Sequence, residues 1–198
     1  MSGIEHSLDK STPVKVSYRL KKTVALVGMM GAGKTAVGRA VAAKLDVEFL
    51  DSDAAIEAAA NQTVPEIFER DGEPFFRKRE TEVIARLLVN KRCILSTGGG
   101  AYLAETNRHN ISKSGVALWL DADLDLLWNR VRHKETRPLL RTRDPRRTLA
   151  DLYEARTPIY RLAELSVKCA PSLSIDAMAE RVIQTLLTRS DVLEKQDA

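Results

Sequence analysis

A short apolar run, Thr23 to Val27, ends on Gly28-Met29-Met30-Gly31-Ala32-Gly33-Lys34-Thr35, and a helical pattern begins directly behind it. No other feature narrows the possible folds so far. The eight residues fit G-x-x-x-x-G-K-[ST], and a strand before with a helix after is the context that motif requires. Gly-rich backbone here curls so that the N–H groups of Gly31, Ala32, Gly33, Lys34, Thr35 and Ala36 face phosphate oxygens, and the helix adds the positive end of its dipole. Lys34 then reaches the β- and γ-phosphates, and the Thr35 hydroxyl ligates Mg²⁺. These residues specify a site for a nucleoside triphosphate. They do not by themselves specify a reaction, because switch GTPases, ATPases and small-molecule kinases share the site.

Behind the motif, apolar runs alternate with helical patterns. Lys34 to Leu45 carries Val37, Ala40, Val41 and Leu45 on one stripe. There follow Val47 to Leu50, a helical stretch from about Asp53 to Asn90, Cys93 to Thr97, Val116 to Leu120, and Ser166 to Cys169. Several runs are apolar throughout rather than alternating, as strands buried on both faces are. The pattern predicts an α/β three-layer sandwich around a central five-stranded parallel sheet. A chain of 198 residues accommodates one such domain. The domain is expected over 22–190; residues 1–21 and 191–198 lack periodicity and read as a frayed arm and tail.

Three further clusters carry chemistry. Asp51-Ser52-Asp53 puts two carboxylates at the end of the second of these runs, the edge where ligands of open parallel sheets bind; one can serve Mg²⁺ through water, the other can orient or deprotonate an attacking hydroxyl. Asp71 to Glu80 reads as a turn opening a helix with Arg77 and Glu80 at i, i+3, so that the carboxylate sets the guanidinium as a fork for a substrate carboxylate. Gly98-Gly99-Gly100 lets a ligand approach the backbone closely. The net charge of +4 is concentrated in Arg132, Lys134, Arg137, Arg141, Arg143, Arg146 and Arg147, which implies an anionic ligand. Cys93 and Cys169 each sit in an apolar run and read as reduced thiols, and no membrane span or secretory leader is apparent, so a cytoplasmic location is expected.

G-x-x-G-x-G-K-[ST], then Gly38-Arg39, D-x-D, G-E-x-x-F-R-x-x-E and G-G-G occur here in the order and spacing of the shikimate kinase family, which the chain resembles over most of residues 23–190. The resemblance implies a P-loop kinase that phosphorylates the 3-hydroxyl of shikimate with ATP and one Mg²⁺ bound by Thr35 and Asp51. It implies that Asp53 holds the substrate hydroxyls, that Arg77, Arg156 and Gly98 to Gly100 bind shikimate, and that Arg130 lies against adenine. Arg137-Pro138-Leu139-Leu140 resembles the family's lid, with Arg137 folding over the phosphates, and Arg156-Thr157-Pro158-Ile159-Tyr160 its R-x-P-x-Y. Asp53, Lys34 and Arg137 are thus the expected catalytic residues. A lid over about 132–147 and a substrate-binding segment over about 53–80 are expected to move and exclude water. Where many members have an Asn/Arg-containing adenine loop, this chain has Ala170-Pro171-Ser172-Leu173, leaving Pro171 to cover the base. A monomer without nucleic-acid or membrane partners is expected. A gluconate-type kinase is the neighbouring alternative, and a nucleotide switch or nucleic-acid-dependent ATPase the distant one. Against the latter, there is no Asn-Lys-x-Asp guanine motif and no interleaved aromatic platform.

Overall fold

The computed structural model describes residues 17–90, 92–133 and 138–196. Its centre is a five-stranded parallel sheet formed by β2 (Thr23–Val27), β3 (Glu48–Asp51), β4 (Cys93–Ser96), β5 (Gly115–Asp121) and β6 (Leu165–Lys168), in the order β3-β4-β2-β5-β6. All five residues of β2 and all four of β4 are buried, as the unbroken apolar runs predict. Val24 lies opposite Ile94 on one side and Val116 on the other, so β2 is central and the chain crosses over on both sides of it. Ligands of such sheets gather at the carboxyl ends beside that switch point.

Helices α1 (Lys34–Leu45), α2 (Ser52–Ala60), α3 (Val64–Asn90), α4 (Glu105–Ser114), α5 (Leu124–Val131), α6 (Pro145–Tyr160) and α7 (Ile175–Leu187) cover the sheet. Helix α1 sits so close to the sheet that a Cβ on Gly38 would come within 2.7 Å of the Phe49 ring and 2.9 Å of Leu26. The expected turn at Asp71 to Pro74 is a kink within α3, where Gly72 adopts φ 80°, ψ 169°. Pro74 then starts a new helical run, a position where its missing N–H costs nothing. Ile56, Ile67, Phe76 and Val83 form a small core of their own under α2 and α3, apart from the main one.

The ends of the domain differ from expectation. Residues 17–20 and 193–196, read as arm and tail, pair as antiparallel strands β1 (Ser17–Leu20) and β7 (Leu193–Gln196). Each strand buries a single leucine, Leu20 or Leu193, against the domain. Ion pairs Lys21–Glu194 at 2.9 Å and Lys22–Asp191 at 2.7 Å flank the ribbon. Backbone pairing and one apolar contact per strand suffice where a 3.6- or 2-residue pattern is absent. Residues 1–16 lie outside the described residues. Among those described, no helix is long and apolar enough to cross a membrane.

Candidate active site

The loop from Gly28 to Gly33 is shaped by glycines at positive φ: Gly28 at 135°, Gly31 at 83° and Gly33 at 100°. A side chain at Gly31 would also strike Val131 at 2.7 Å, so both conformation and space require glycine there. Gly33 caps α1, leaving the first N–H groups of that helix open to the cavity. Lys34 Nζ donates to the Gly28 and Met29 carbonyls at 2.7 and 3.1 Å, which folds its side chain back over the loop. From α5, Arg130 Nη1 donates to the Gly31 and Ala32 carbonyls at 3.2 and 3.1 Å and pins the loop from outside. Around the loop lies a cavity of about 430 Å³ that Gly31 to Ala36, Asp51, Asp53 and Arg130 help to line.

At the inner end of this cavity the Thr35 hydroxyl donates to Asp51 Oδ2 at 3.1 Å and lies 3.4 Å from Ser96 Oγ. Asp51 ends β3 and also caps α2, its Oδ1 accepting from the N–H groups of Asp53 and Ala54 at 3.1 and 3.3 Å. The cap aims one carboxylate oxygen at Thr35 and holds the other in the backbone. Such a cluster of hard oxygens suits a Mg²⁺ ion that keeps most of its water and phosphate ligands.

Asp53 stands one helical step further, on the wall shared with a second cavity of about 470 Å³. Met30, Asp53, Gly98 and Gly99 line both. Burial pushes the Asp53 carboxyl above its usual range, and Asp51 adds to the effect, while Lys34 opposes it. Ser52 is buried, and its hydroxyl accepts from the Gly98 N–H at 3.1 Å, tying β4's exit to α2.

The second cavity is a mixed pocket. Val64, Phe68 and Phe76 supply apolar walls; Arg77, Glu80 and Arg156 supply charge. Arg77 Nη1 donates to Glu80 Oε2 at 2.8 Å, while Nε and Nη2 share Glu73 Oε1 at 3.1 and 3.0 Å. Glu80 is fully buried, its Oε1 has no partner among the described residues, and burial raises its pKa against the pull of Arg77. The glycine triplet is fitted between these groups. A Cβ at Gly98 would lie 2.7 Å from Asp53 Oδ1 and 2.8 Å from Glu80 Oε1, and one at Gly100 would lie 2.5 Å from Arg77 Nη2.

The structure therefore brings Lys34, Thr35, Asp51, Asp53, Arg77, Gly98, Gly99, Gly100, Arg130 and Arg156 around two adjoining cavities. It does not bring Pro171 there. Pro171 is exposed and does not line the cavity, whereas Cys169, Leu173, Ile175 and Met178 line it on that side. Arg137 lies outside the described residues; Leu139, just beyond it, reaches the second cavity. Sequence reasoning missed Ser52, Ser96, Phe68 and the hydrogen bond from Tyr160 Oη to the Gly99 carbonyl. Ser52 and Ser96 sit inside or beside motifs already singled out; Phe68 had no signal beyond an apolar helix face.

The chain is similar to known proteins of one family. A family model described as shikimate kinase matches residues 30–187. The chain is 63% identical over 194 residues to a shikimate kinase from Ruegeria pomeroyi, covering 98% of this chain and 99% of that one. It is 60% identical over 183 residues to one from Cereibacter sphaeroides, covering 92% of each. Among solved structures, shikimate kinase from Acinetobacter baumannii in complex with shikimate superposes with a TM-score of 0.81 at 38% identity, covering 85% of this chain and 94% of that one.

Proposed function

The chain belongs to the shikimate kinase family, and from that premise we propose how its residues divide the work of the reaction it catalyses, transfer of the γ-phosphoryl group of ATP to the 3-hydroxyl of shikimate, a step of aromatic amino acid biosynthesis. One observation carries the division: the two cavities meet at Asp53, between a phosphate cradle and an arginine-lined pocket.

The backbone N–H groups from Gly31 to Ala36 hold the β- and γ-phosphates, and Lys34 leaves the loop carbonyls to bind them. Thr35 and Asp51 would hold one Mg²⁺, and that ion, when bound, would neutralise charge on the phosphates. Arg130 flanks the base together with Leu173 and Ile175, while Pro171 would need to swing inward to take the covering role. Arg77 and Arg156 bind the shikimate carboxylate, and the Gly98 to Gly100 backbone lines the same pocket. Asp53 then faces the 3-hydroxyl, orienting it in line with the γ-phosphorus and receiving its proton as the O–P bond forms. In a loose transition state that orientation matters more than base strength. Arg137 closes over the phosphates with the segment around it. The enzyme works as a monomer in the cytoplasm, without nucleic acid; its buried free thiols Cys93 and Cys169 and its need for ATP suit that compartment.

A coupled ADP-release assay with MgATP tests this, comparing shikimate, gluconate and no acceptor. Shikimate-dependent release that is lost in Arg77→Ala supports the assignment. Equal release with gluconate, or without any acceptor, sinks it.

A further inference from the structure

Tyr160, the last residue of α6, is almost wholly buried and sits one turn beyond Arg156. Its ring stacks on Trp119 of β5, with centroids 6.4 Å apart and planes 23° from parallel. Its hydroxyl donates to the Gly99 carbonyl. Burial pushes the phenol up to about 12 against the pull of the nearby Arg156 charge, so the group stays a neutral donor. The Tyr160 hydroxyl thus joins α6, which carries Arg156 one turn earlier, to the turn after β4.

The geometry of the peptide unit gives that contact a consequence. Among the described residues no peptide bond is cis, so the Gly99 carbonyl and the Gly100 N–H lie in one plane and point in opposite directions. Anchoring the carbonyl on Tyr160 turns the Gly100 N–H the other way, and that N–H has no partner among the described residues. The same residue presses on the Arg77 guanidinium so closely that no side chain fits at position 100. A flexible triple-glycine turn would otherwise sample many orientations.

We propose that Tyr160 is a positioning residue for the acceptor carboxylate, its hydroxyl fixing the Gly99–Gly100 peptide against Arg77, one turn along α6 from Arg156. The proposal rests on the reading of Arg77 and Arg156 as the carboxylate clamp. Its signature is selective: binding of the acceptor depends on the hydroxyl, and binding of ATP does not.

Tyr160→Phe keeps the ring and its stacking and removes one oxygen. The expected result is a KM for shikimate raised about tenfold, with the KM for ATP changed less than about twofold. Discrimination between shikimate and its uncharged carboxamide should shrink by a similar factor, because the lost contact acts through the carboxylate. Ile111→Val, a buried core change on α4 at a residue that lines neither cavity, serves as the reference for simple destabilisation: its melting midpoint falls while both KM values hold. A Tyr160→Phe enzyme that behaves like this reference overturns the proposal, as does one in which both KM values rise together. Loss of shikimate-dependent turnover in the parent enzyme would instead strike the functional reading beneath it.

Discussion

The two cavities that meet at Asp53 are built by opposite strategies. The phosphate cradle comes from contiguous residues, uses backbone N–H groups, and takes its shape from glycines at positive φ. The acceptor pocket draws side chains from α2, α3, the turn after β4 and α6, and its key charges are partly or wholly removed from water. A backbone site tolerates variation in side chains but not in conformation. A pocket of buried charges depends on every partner, because a lone buried charge is costly. Substitutions should therefore fail differently in the two halves.

The sharpest break is Lys34→Ala. It removes the cradle's mobile cation and should lower kcat/KM by about a hundredfold to a thousandfold, as loss of a preorganised charge-stabilising donor does. Shikimate binding, followed by calorimetry without nucleotide, should stay within about twofold, since Lys34 does not line the acceptor pocket. Weakened shikimate binding would show that the halves are not separable.

Arg77→Ala should do the converse and more. Shikimate affinity should fall about a hundredfold, while ATP binding survives. Stability should drop by about 3 kcal/mol, because Glu80 is left buried without its counter-ion. Adding Glu80→Gln to that variant should restore much of the stability and none of the affinity. Denaturant titrations and acceptor kinetics on the single and double variants would separate the two effects; recovery of affinity in the double variant would assign the clamp elsewhere.

Gly98→Ala tests the seam itself. The new Cβ would lie within 3 Å of carboxylate oxygens on both Asp53 and Glu80. Turnover should fall about tenfold with little change in folding, since both neighbours are side chains that can yield. Equal loss of stability and rate would mean the seam is rigid packing rather than a working contact.

The same contrast explains what the sequence made legible. The course of the loop from Gly28 to Gly33 into α1 was legible, because its residues are consecutive and its shape follows from glycine and a helix start. The five strands were legible because burial on both faces leaves unbroken apolar runs. Arg77 and Glu80 were legible as a pair, being i, i+3 on one helix, but the burial that makes the pair consequential was not. Contacts between distant segments left no local trace. Tyr160 reaches Gly99 across 61 residues, and β1 pairs with β7 across nearly the whole chain with one leucine apiece. Pro171 was expected to cover the base, yet the cavity is lined there by Leu173 and Ile175 instead, a difference of two to four residues that the local sequence does not mark.

The smallest effect expected is in the pH dependence of stability, and it separates buried charge from backbone cradle most cleanly. Burial raises the Glu80 carboxyl above its ordinary 4.5, and Arg77 offsets only part of the rise. Between the ordinary and the raised value the folded chain therefore holds more protons at this site than the unfolded chain. Stability from this group must then fall as pH rises through that window, and level off above it. Glu80→Gln abolishes the titration, so the difference in unfolding free energy between Glu80→Gln and the parent should grow in the variant's favour as pH climbs from 4.5, then become constant. A parallel pair of curves from urea titrations across pH 4.5 to 7.5 would mean that Arg77 fully compensates the burial of Glu80, and that the acceptor pocket, like the cradle, carries no strained charge before its ligand arrives.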